Sequence, residues 1–140
     1  MATLVHAMDF DVLKQRLTPL CDDPTIRLVV LFGSSVKGGQ HRRSDVDLAV
    51  LGSTPLDLIG LTNRVTTLLH SNRVDVVDLQ RASPLLMMEV VRSGRLLYEQ
   101  RAGQYVSFCS LAHRRYVDTA KLRKAQQQAI ETFLRARGEA

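Results

Sequence analysis

Residues 26–51 read IRLVVLFGSSVKGGQHRRSDVDLAVL, and this stretch decides the fold. Its first part, Ile26–Phe32, is apolar and rich in β-branched residues, which predicts a buried strand that ends at Gly33. A glycine-containing loop follows. The run Val46–Leu51 is again apolar and predicts a second strand, whose entry carries Asp45 and Asp47. Two buried strands joined by a polar loop therefore form the predicted centre of the domain.

Predicted helices and strands alternate on either side of this stretch. Apolar spacing and turn residues predict helices over about 9–20, 56–70 and 84–93, and strands over 74–79 and 95–99. Ser83 and Pro84 resemble an N-cap followed by a proline at the first helical position, and Gly94 closes that helix. The alternation predicts an α/β (α+β) class with one sheet and helices packed against it.

The two aspartates at the start of the second strand indicate a metal site. Asp45 and Asp47 are two residues apart, so their side chains project from the same face of an extended chain. Two like charges at that spacing repel each other and stabilise nothing by themselves. A divalent cation removes the conflict, and Mg²⁺ prefers carboxylate and phosphate oxygens. The pair therefore predicts a site for Mg²⁺ and substrate phosphates.

The end of the first strand indicates a phosphate site. Gly33 allows the backbone to approach a ligand closely, and Ser34 can cap a following helix or donate a hydrogen bond to a phosphate. Free N–H groups at such a helix start would bind an anion, and Lys37 would add positive charge. Arg42 and Arg43 either contact substrate or belong to a solvated loop, and the sequence leaves both open.

Ten residues separate Ser34 from Asp45, giving the pattern Gly-Ser-x10-Asp-x-Asp. This arrangement resembles the signature of the DNA polymerase β-like nucleotidyltransferases, in particular their minimal (MNT) members. In that family a later strand supplies a third acidic residue, and Asp75 is the matching position. Asp78 competes for the role, but in a regular strand it faces the opposite side and is able to start the following turn.

The resemblance implies a mixed sheet flanked by helices, with Asp45, Asp47 and Asp75 on one surface. It also implies two Mg²⁺ ions held by these aspartates and ATP as the nucleotide donor, bound at Gly33, Ser34 and Lys37. The acceptor oxygen would attack the α-phosphorus in line, and Asp75 could accept its proton.

Residues 73–99 are especially similar to the MNT antitoxins of HEPN/MNT toxin–antitoxin pairs. This resemblance implies an antitoxin that transfers AMP from ATP to a tyrosine of a cognate HEPN ribonuclease toxin, its protein partner. Two alternatives remain at this point. The same carboxylates would serve a small-molecule nucleotidyltransferase of the aminoglycoside type, and a non-enzymatic antitoxin would act by steric binding alone.

The chain is predicted to form one nucleotidyltransferase domain over residues 1–140, with a core over about 8–100. A helical extension follows over about 104–137, as one long helix or two joined ones. Its apolar residues lie among many Arg, Lys and Gln residues. An amphipathic helix of this kind either packs on its own domain or grips a partner protein with apolar anchors and a basic rim.

Composition limits the class of protein. The 140 residues include 45% hydrophobic and 24% charged residues, which is ordinary globular usage. No apolar stretch approaches the length of a membrane span and no secretory signal is recognisable, so a cytoplasmic protein is expected. Cys21 and Cys109 are expected to be free thiols. The net charge of +5 favours anionic partners, but only 5% of residues are aromatic, so direct nucleic-acid binding is not expected.

Overall fold

The computed structural model describes residues 9–33 and 46–138. The strands in these ranges are β1 (Ile26–Phe32), β2 (Val46–Gly52), β3 (Val74–Asp78) and β4 (Arg95–Glu99). The helices are α1 (Phe10–Arg16), α2 (Leu58–Leu69), α3 (Pro84–Ser93), α4 (Gln104–Asp118) and α5 (Ala120–Ala136), with a 3₁₀ helix (Thr18–Asp22) after α1. The predicted alternation of helices and strands is confirmed.

The four strands form one mixed sheet in the order β3-β2-β1-β4. Strand β1 lies between β2 and β4 and is antiparallel to both, whereas β2 and β3 are parallel. The two strands of the deciding stretch are therefore the central pair of the sheet. The antiparallel pairing places the end of β1 beside the start of β2, so the connection between the two strands leaves and re-enters the sheet at the same end.

Helices cover both faces of the sheet and divide the core into two layers. One layer packs α1 and α2 against the sheet through residues that include Leu13, Leu20, Val29, Leu48, Val65 and Leu69. The other packs α3 and α4 through residues that include Leu28, Val30, Ala49, Met87, Val90 and Phe108. The central strands contribute to both layers, which explains why their sequences are almost entirely apolar.

Two helix boundaries show how local chemistry fixes the elements. Ser83 caps α3 by accepting a hydrogen bond from the Leu86 N–H at 3.2 Å, and Pro84 is the first helical residue, as predicted. The first helix is shorter than the predicted range of about 9–20, because α1 ends at Arg16 and a 3₁₀ helix follows. Pro19 has no N–H to donate and disfavours the α conformation in the residue before it, so the α-helix stops ahead of it.

Gly94 joins α3 to β4 at a point where no side chain fits. A Cβ atom there would collide with the carbonyl oxygen of Val90 and would lie 2.8 Å from Cγ1 of Val30. We expect Gly94→Ala to lower the free energy of unfolding by about 1–3 kcal/mol, because the backbone must shift within a packed core. Urea denaturation measures the difference. Gly103→Ala is a poor control because its φ is +94°, so Ser110→Ala on the exposed side of α4 serves instead.

The C-terminal extension consists of two joined helices with different roles. Helix α4 packs on the sheet and buries Phe108 and Ala112, so it is part of the folded core. Helix α5 buries no residue, and its apolar side chains Ile130 and Phe133 are 59% and 60% exposed. Of the two predicted roles for the extension, packing on the domain applies to α4 alone.

Among the described residues, no helix is both long enough and apolar enough to cross a bilayer. Cys21 and Cys109 are both free thiols, as predicted. Burial is the main cause that raises the pKa of each thiol above its ordinary value.

Candidate active site

Three residues on adjacent strands lie side by side at one end of the sheet, where β1 ends and where β2 and β3 begin. Phe32, the last residue of β1, pairs with Asp47 of β2, and Asp47 pairs in turn with Asp75 of β3. Directly paired residues of neighbouring strands project from the same face, so the two carboxylates share one face. Strand alternation puts that face on the side of α3 and α4, because Ala49 follows Asp47 by two residues and packs in that layer.

The two carboxylates differ in their exposure to solvent. Asp47 is only 4% exposed, whereas Asp75 is exposed. A buried carboxylate is costly unless a cation or hydrogen-bond donors compensate for it. A second carboxylate in the adjacent register adds repulsion. One buried and one open carboxylate therefore fit a divalent cation that also takes oxygens from a substrate, as Mg²⁺ does.

Other predicted site residues fall in the segment between the two central strands. Ser34, Lys37 and Asp45 lie outside the described residues, as do Arg42 and Arg43. The described part of the chain contains no group of three or more potential metal ligands. Asp45 directly precedes β2 in the sequence. It is the remaining carboxylate of the predicted metal site, and its position in that site stays a prediction.

Gly33 occupies the turn that leaves β1, and its backbone requires a residue without a side chain. Its φ is +77°, which is the left-handed region that favours glycine. The Gly33 N–H donates a buried hydrogen bond of 3.0 Å to Oγ of Ser93, and the Ser93 hydroxyl donates one of 2.8 Å to the Glu89 carbonyl. Ser93 thus fixes the position of the glycine turn from the end of α3.

Ser93 was not predicted as a site residue from the sequence. The residue is 5% exposed, which is unusual for a serine near the end of an amphipathic helix. Its partner Gly33 is 60 residues away in the chain, and only the packing of α3 against the sheet brings the two together. A signal would have been a serine at a position where the helical pattern calls for an apolar residue.

Asp78 lies on the opposite face of β3 from Asp75, as expected for a regular strand. It pairs with Val50 and is 6% exposed. Its carboxylate accepts a 3.0 Å hydrogen bond from the Gln80 N–H, and its carbonyl accepts one from the Arg81 N–H. Asp78 therefore starts the turn after β3, and Asp75 is the carboxylate that lies beside Asp47.

A cluster of positive charge surrounds Tyr116 where α3, α4 and α5 meet. The guanidinium of Arg123 lies 3.8 Å from the Tyr116 ring centroid, and that of Arg92 lies 5.3 Å away. A hydrogen bond from Arg92, with the charges of Arg123 and Arg92, lowers the pKa of the Tyr116 phenol. Arg123 also donates to the Tyr116 carbonyl at 2.7 Å, which ties the start of α5 to α4.

The family of the chain follows from its match to a family model. The model of the family "Polymerase beta, Nucleotidyltransferase" matches residues 15–102, which is more than half of the chain. The chain therefore belongs to the polymerase β nucleotidyltransferase family. The predicted fold, a mixed sheet flanked by helices, is confirmed.

The chain is similar to proteins described as adenylyltransferases and as members of toxin–antitoxin complexes. The chain is 44% identical over 78 residues to the protein adenylyltransferase MntA of Shewanella oneidensis, a match that covers 54% of this chain and 55% of that protein. The matched part thus spans about half the length of that relative. A crystal structure described as a toxin–antitoxin with AMP-PNP has a TM-score of 0.66 and 32% identity, with 86% of this chain and 97% of that chain covered.

A second solved structure is described as a tri-AMPylated Shewanella oneidensis HEPN toxin in complex with MNT antitoxin. It has a TM-score of 0.64 and 26% identity, and the match covers 89% of this chain and 97% of the other. The predicted family, including the resemblance to MNT antitoxins, is confirmed.

Proposed function

We propose that this chain is a Mg²⁺-dependent protein adenylyltransferase that transfers AMP from ATP to a tyrosine of a cognate HEPN toxin and thereby acts as its antitoxin. The observation that carries the proposal is the register pair of Asp47 and Asp75 beside the Gly33 turn. The relatives support the choice of donor and acceptor, since one is named a protein adenylyltransferase and another is a complex with an AMPylated HEPN toxin.

Each residue of the site has a role in this reaction. Asp45, Asp47 and Asp75 would hold two Mg²⁺ ions, which neutralise phosphate charge and lower the pKa of the acceptor hydroxyl. Gly33, whose own N–H is bonded to Ser93, lets the backbone approach the triphosphate closely. Ser34 would bind the triphosphate through its N–H and its hydroxyl, and Lys37 would add a positive charge.

The chemical step is an in-line displacement. The phenolic oxygen of the acceptor forms a bond to the α-phosphorus of ATP while the bond to pyrophosphate breaks. Asp75 accepts the phenolic proton, a role that suits the more exposed of the two described carboxylates. Catalysis comes from positioning and charge neutralisation, and the protein forms no covalent intermediate.

The acceptor protein docks on helix α5. The helix presents Leu122, Ile130 and Phe133 to solvent, at 59%, 59% and 60% exposure. At 100° per residue these three side chains fall within one stripe of the helix. Lys121, Lys124 and Arg135 are also exposed and give the opposite side of the helix a positive charge. An exposed apolar stripe on a helix that buries none of its residues is the form of a helix that binds a partner groove.

Intact-mass spectrometry of the partner tests the proposed function. The cognate HEPN protein is incubated with this chain, Mg²⁺ and each NTP in turn. We expect a mass gain of one or more AMP units with ATP, and no gain when Asp47→Asn replaces the wild-type chain. A tight complex without any mass gain would contradict the enzymatic account and would favour a steric antitoxin. A modified small molecule in place of the partner would favour a small-molecule transferase.

Ser93 provides a test of the nucleotide-binding turn. Ser93→Ala removes the acceptor for the buried Gly33 N–H, which costs about 1–3 kcal/mol when the group stays unsatisfied. We expect the Kd for AMP-PNP to rise about tenfold, because the turn that binds phosphate loses its support. Isothermal titration calorimetry measures the change, with Ser110→Ala on the exposed side of α4 as the matched control. An unchanged Kd in a folded Ser93→Ala protein would show that Ser93 does not position the turn.

A further inference from the structure

A cavity opens between the sheet and α4, away from the carboxylates of the candidate active site. It has a volume of about 630 Å³, within the usual range for small-molecule sites. Arg27 of β1 borders it, and the Arg27 carbonyl accepts a 2.8 Å hydrogen bond from the Gln100 N–H beyond β4. Asp47 pairs with Phe32, which lies five residues further along β1, so Arg27 and Asp47 are about 17 Å apart along the strand direction.

Three arginines from three different elements border this cavity. Arg27 lies on β1, Arg101 lies in the connection from β4 to α4, and Arg115 lies on α4. All three are exposed, and within residues 9–33 and 46–138 none of them forms an ion pair with a carboxylate. Three guanidinium groups around one cavity form a site of strong positive potential, and the planar guanidinium suits phosphate oxygens.

The floor of the cavity is apolar. Leu79, Met87, Phe108 and Leu111 line it below the arginines, and a guanidinium nitrogen of Arg115 lies 4.0 Å from the Met87 sulfur. An inorganic anion would leave such a floor without a partner. A ligand with a flat apolar ring at one end and phosphates at the other would contact both parts of the cavity, because aromatic rings favour apolar and methionine-lined surfaces.

We propose that this cavity is a second nucleotide-binding site, in which Arg27, Arg101 and Arg115 bind the phosphates of a nucleoside phosphate and the apolar floor holds its base. Gln80 and Gln104 at the rim supply amide groups able to hydrogen-bond a base edge. The site is distinct from the Asp47–Asp75 pair and does not take part in AMP transfer. Its occupancy gives the enzyme a way to respond to the nucleotide pool separately from catalysis.

Counting bound nucleotide tests this proposal. Equilibrium dialysis of the full chain with Mg²⁺ and AMP-PNP is expected to give two nucleotides per chain. In the double variant Arg101→Gln/Arg115→Gln, affinity at one site is expected to fall by about tenfold or more for each lost arginine, because each supplies charge-assisted hydrogen bonds. AMP transfer by this variant should stay within about twofold of wild type. Arg114→Gln, an exposed neighbour that does not line the cavity, should retain both sites.

Several outcomes would overturn the second site. One nucleotide per chain in the wild type, with the same affinity in the arginine variant, would show that the cavity is empty of nucleotide. Loss of both binding and transfer in the arginine variant would make the cavity the substrate site itself. Pyrophosphate competing as strongly as AMP-PNP at the second site would show an anion site without base recognition. Failure of Asp47→Asn to affect transfer would instead contradict the proposed function and leave this count unaffected.

Discussion

Asp47→Asn is expected to lower the rate of AMP transfer by about a thousandfold or more. The metal and phosphate interactions of such a site contribute several kcal/mol to the transition state, and each 1.36 kcal/mol corresponds to a factor of about ten. Asparagine keeps the shape of the side chain but lacks the negative charge that a divalent cation needs. The initial rate of partner modification, followed by intact-mass spectrometry, measures the effect.

The structure also predicts that this variant stays folded. Asp47 is 4% exposed and lies in register with Asp75, so the substitution removes one of two adjacent like charges. Asparagine keeps the shape of the side chain, so the Tm should stay close to that of wild type. Asp78→Asn is the matched control, because it lies on the opposite face of β3 and asparagine retains the oxygen that accepts from the Gln80 N–H. Transfer by Asp78→Asn at the wild-type rate separates the two faces, and equal losses in both variants would contradict the assigned site.

The second large effect is expected on the docking helix. Ile130→Glu combined with Phe133→Glu should weaken binding of the HEPN partner by about a hundredfold or more, because buried anchors at an interface each contribute about 2 kcal/mol. Both side chains are more than half exposed in the free chain, so the Tm should change little. Surface plasmon resonance with the immobilised partner measures the Kd.

A control on the far side of the same helix makes this test specific. Gln128→Glu introduces a negative charge on the polar face of α5, about 160° from the centre of the apolar stripe. It should leave the Kd within about twofold of wild type. AMP-PNP binding should be unchanged in all of these variants, because no residue of α5 is buried in the domain core. A partner Kd that is unaffected by the two glutamates would show that the partner docks elsewhere.

The central strands were predictable because both of their faces are buried, which requires apolar side chains at nearly every position. Ile26–Phe32 and Val46–Gly52 are apolar apart from Arg27 and Asp47, and the structure places layers of helices on both sides of them. The Ser83–Pro84 start of α3 was predictable for a different reason, since capping depends on adjacent residues alone. The end of α1 was missed because the effect of Pro19 outweighed an apolar spacing that continues through Leu20.

The order of the strands and the long-range contacts of the site were not predictable from periodicity. Spacing within one strand indicates which side chains share a face, but the register of Asp47 with Asp75 depends on how β2 and β3 pair. The hydrogen bond between Gly33 and Ser93 depends on the packing of α3. The role of α5 was left open because the same amphipathic pattern serves packing on the domain and docking of a partner.

The central claim is that the Asp47–Asp75 site transfers a nucleotidyl group. The most direct test uses ATP that is labelled at either the α- or the γ-phosphate. The chain is incubated with Mg²⁺, the HEPN partner and each labelled ATP in parallel, and label on the partner is counted after denaturing separation. The account predicts that the α-label appears on the partner and that the γ-label leaves as pyrophosphate. Label from the γ-position on the partner would mean phosphoryl transfer and would contradict the account, as would label from neither position in a stable complex.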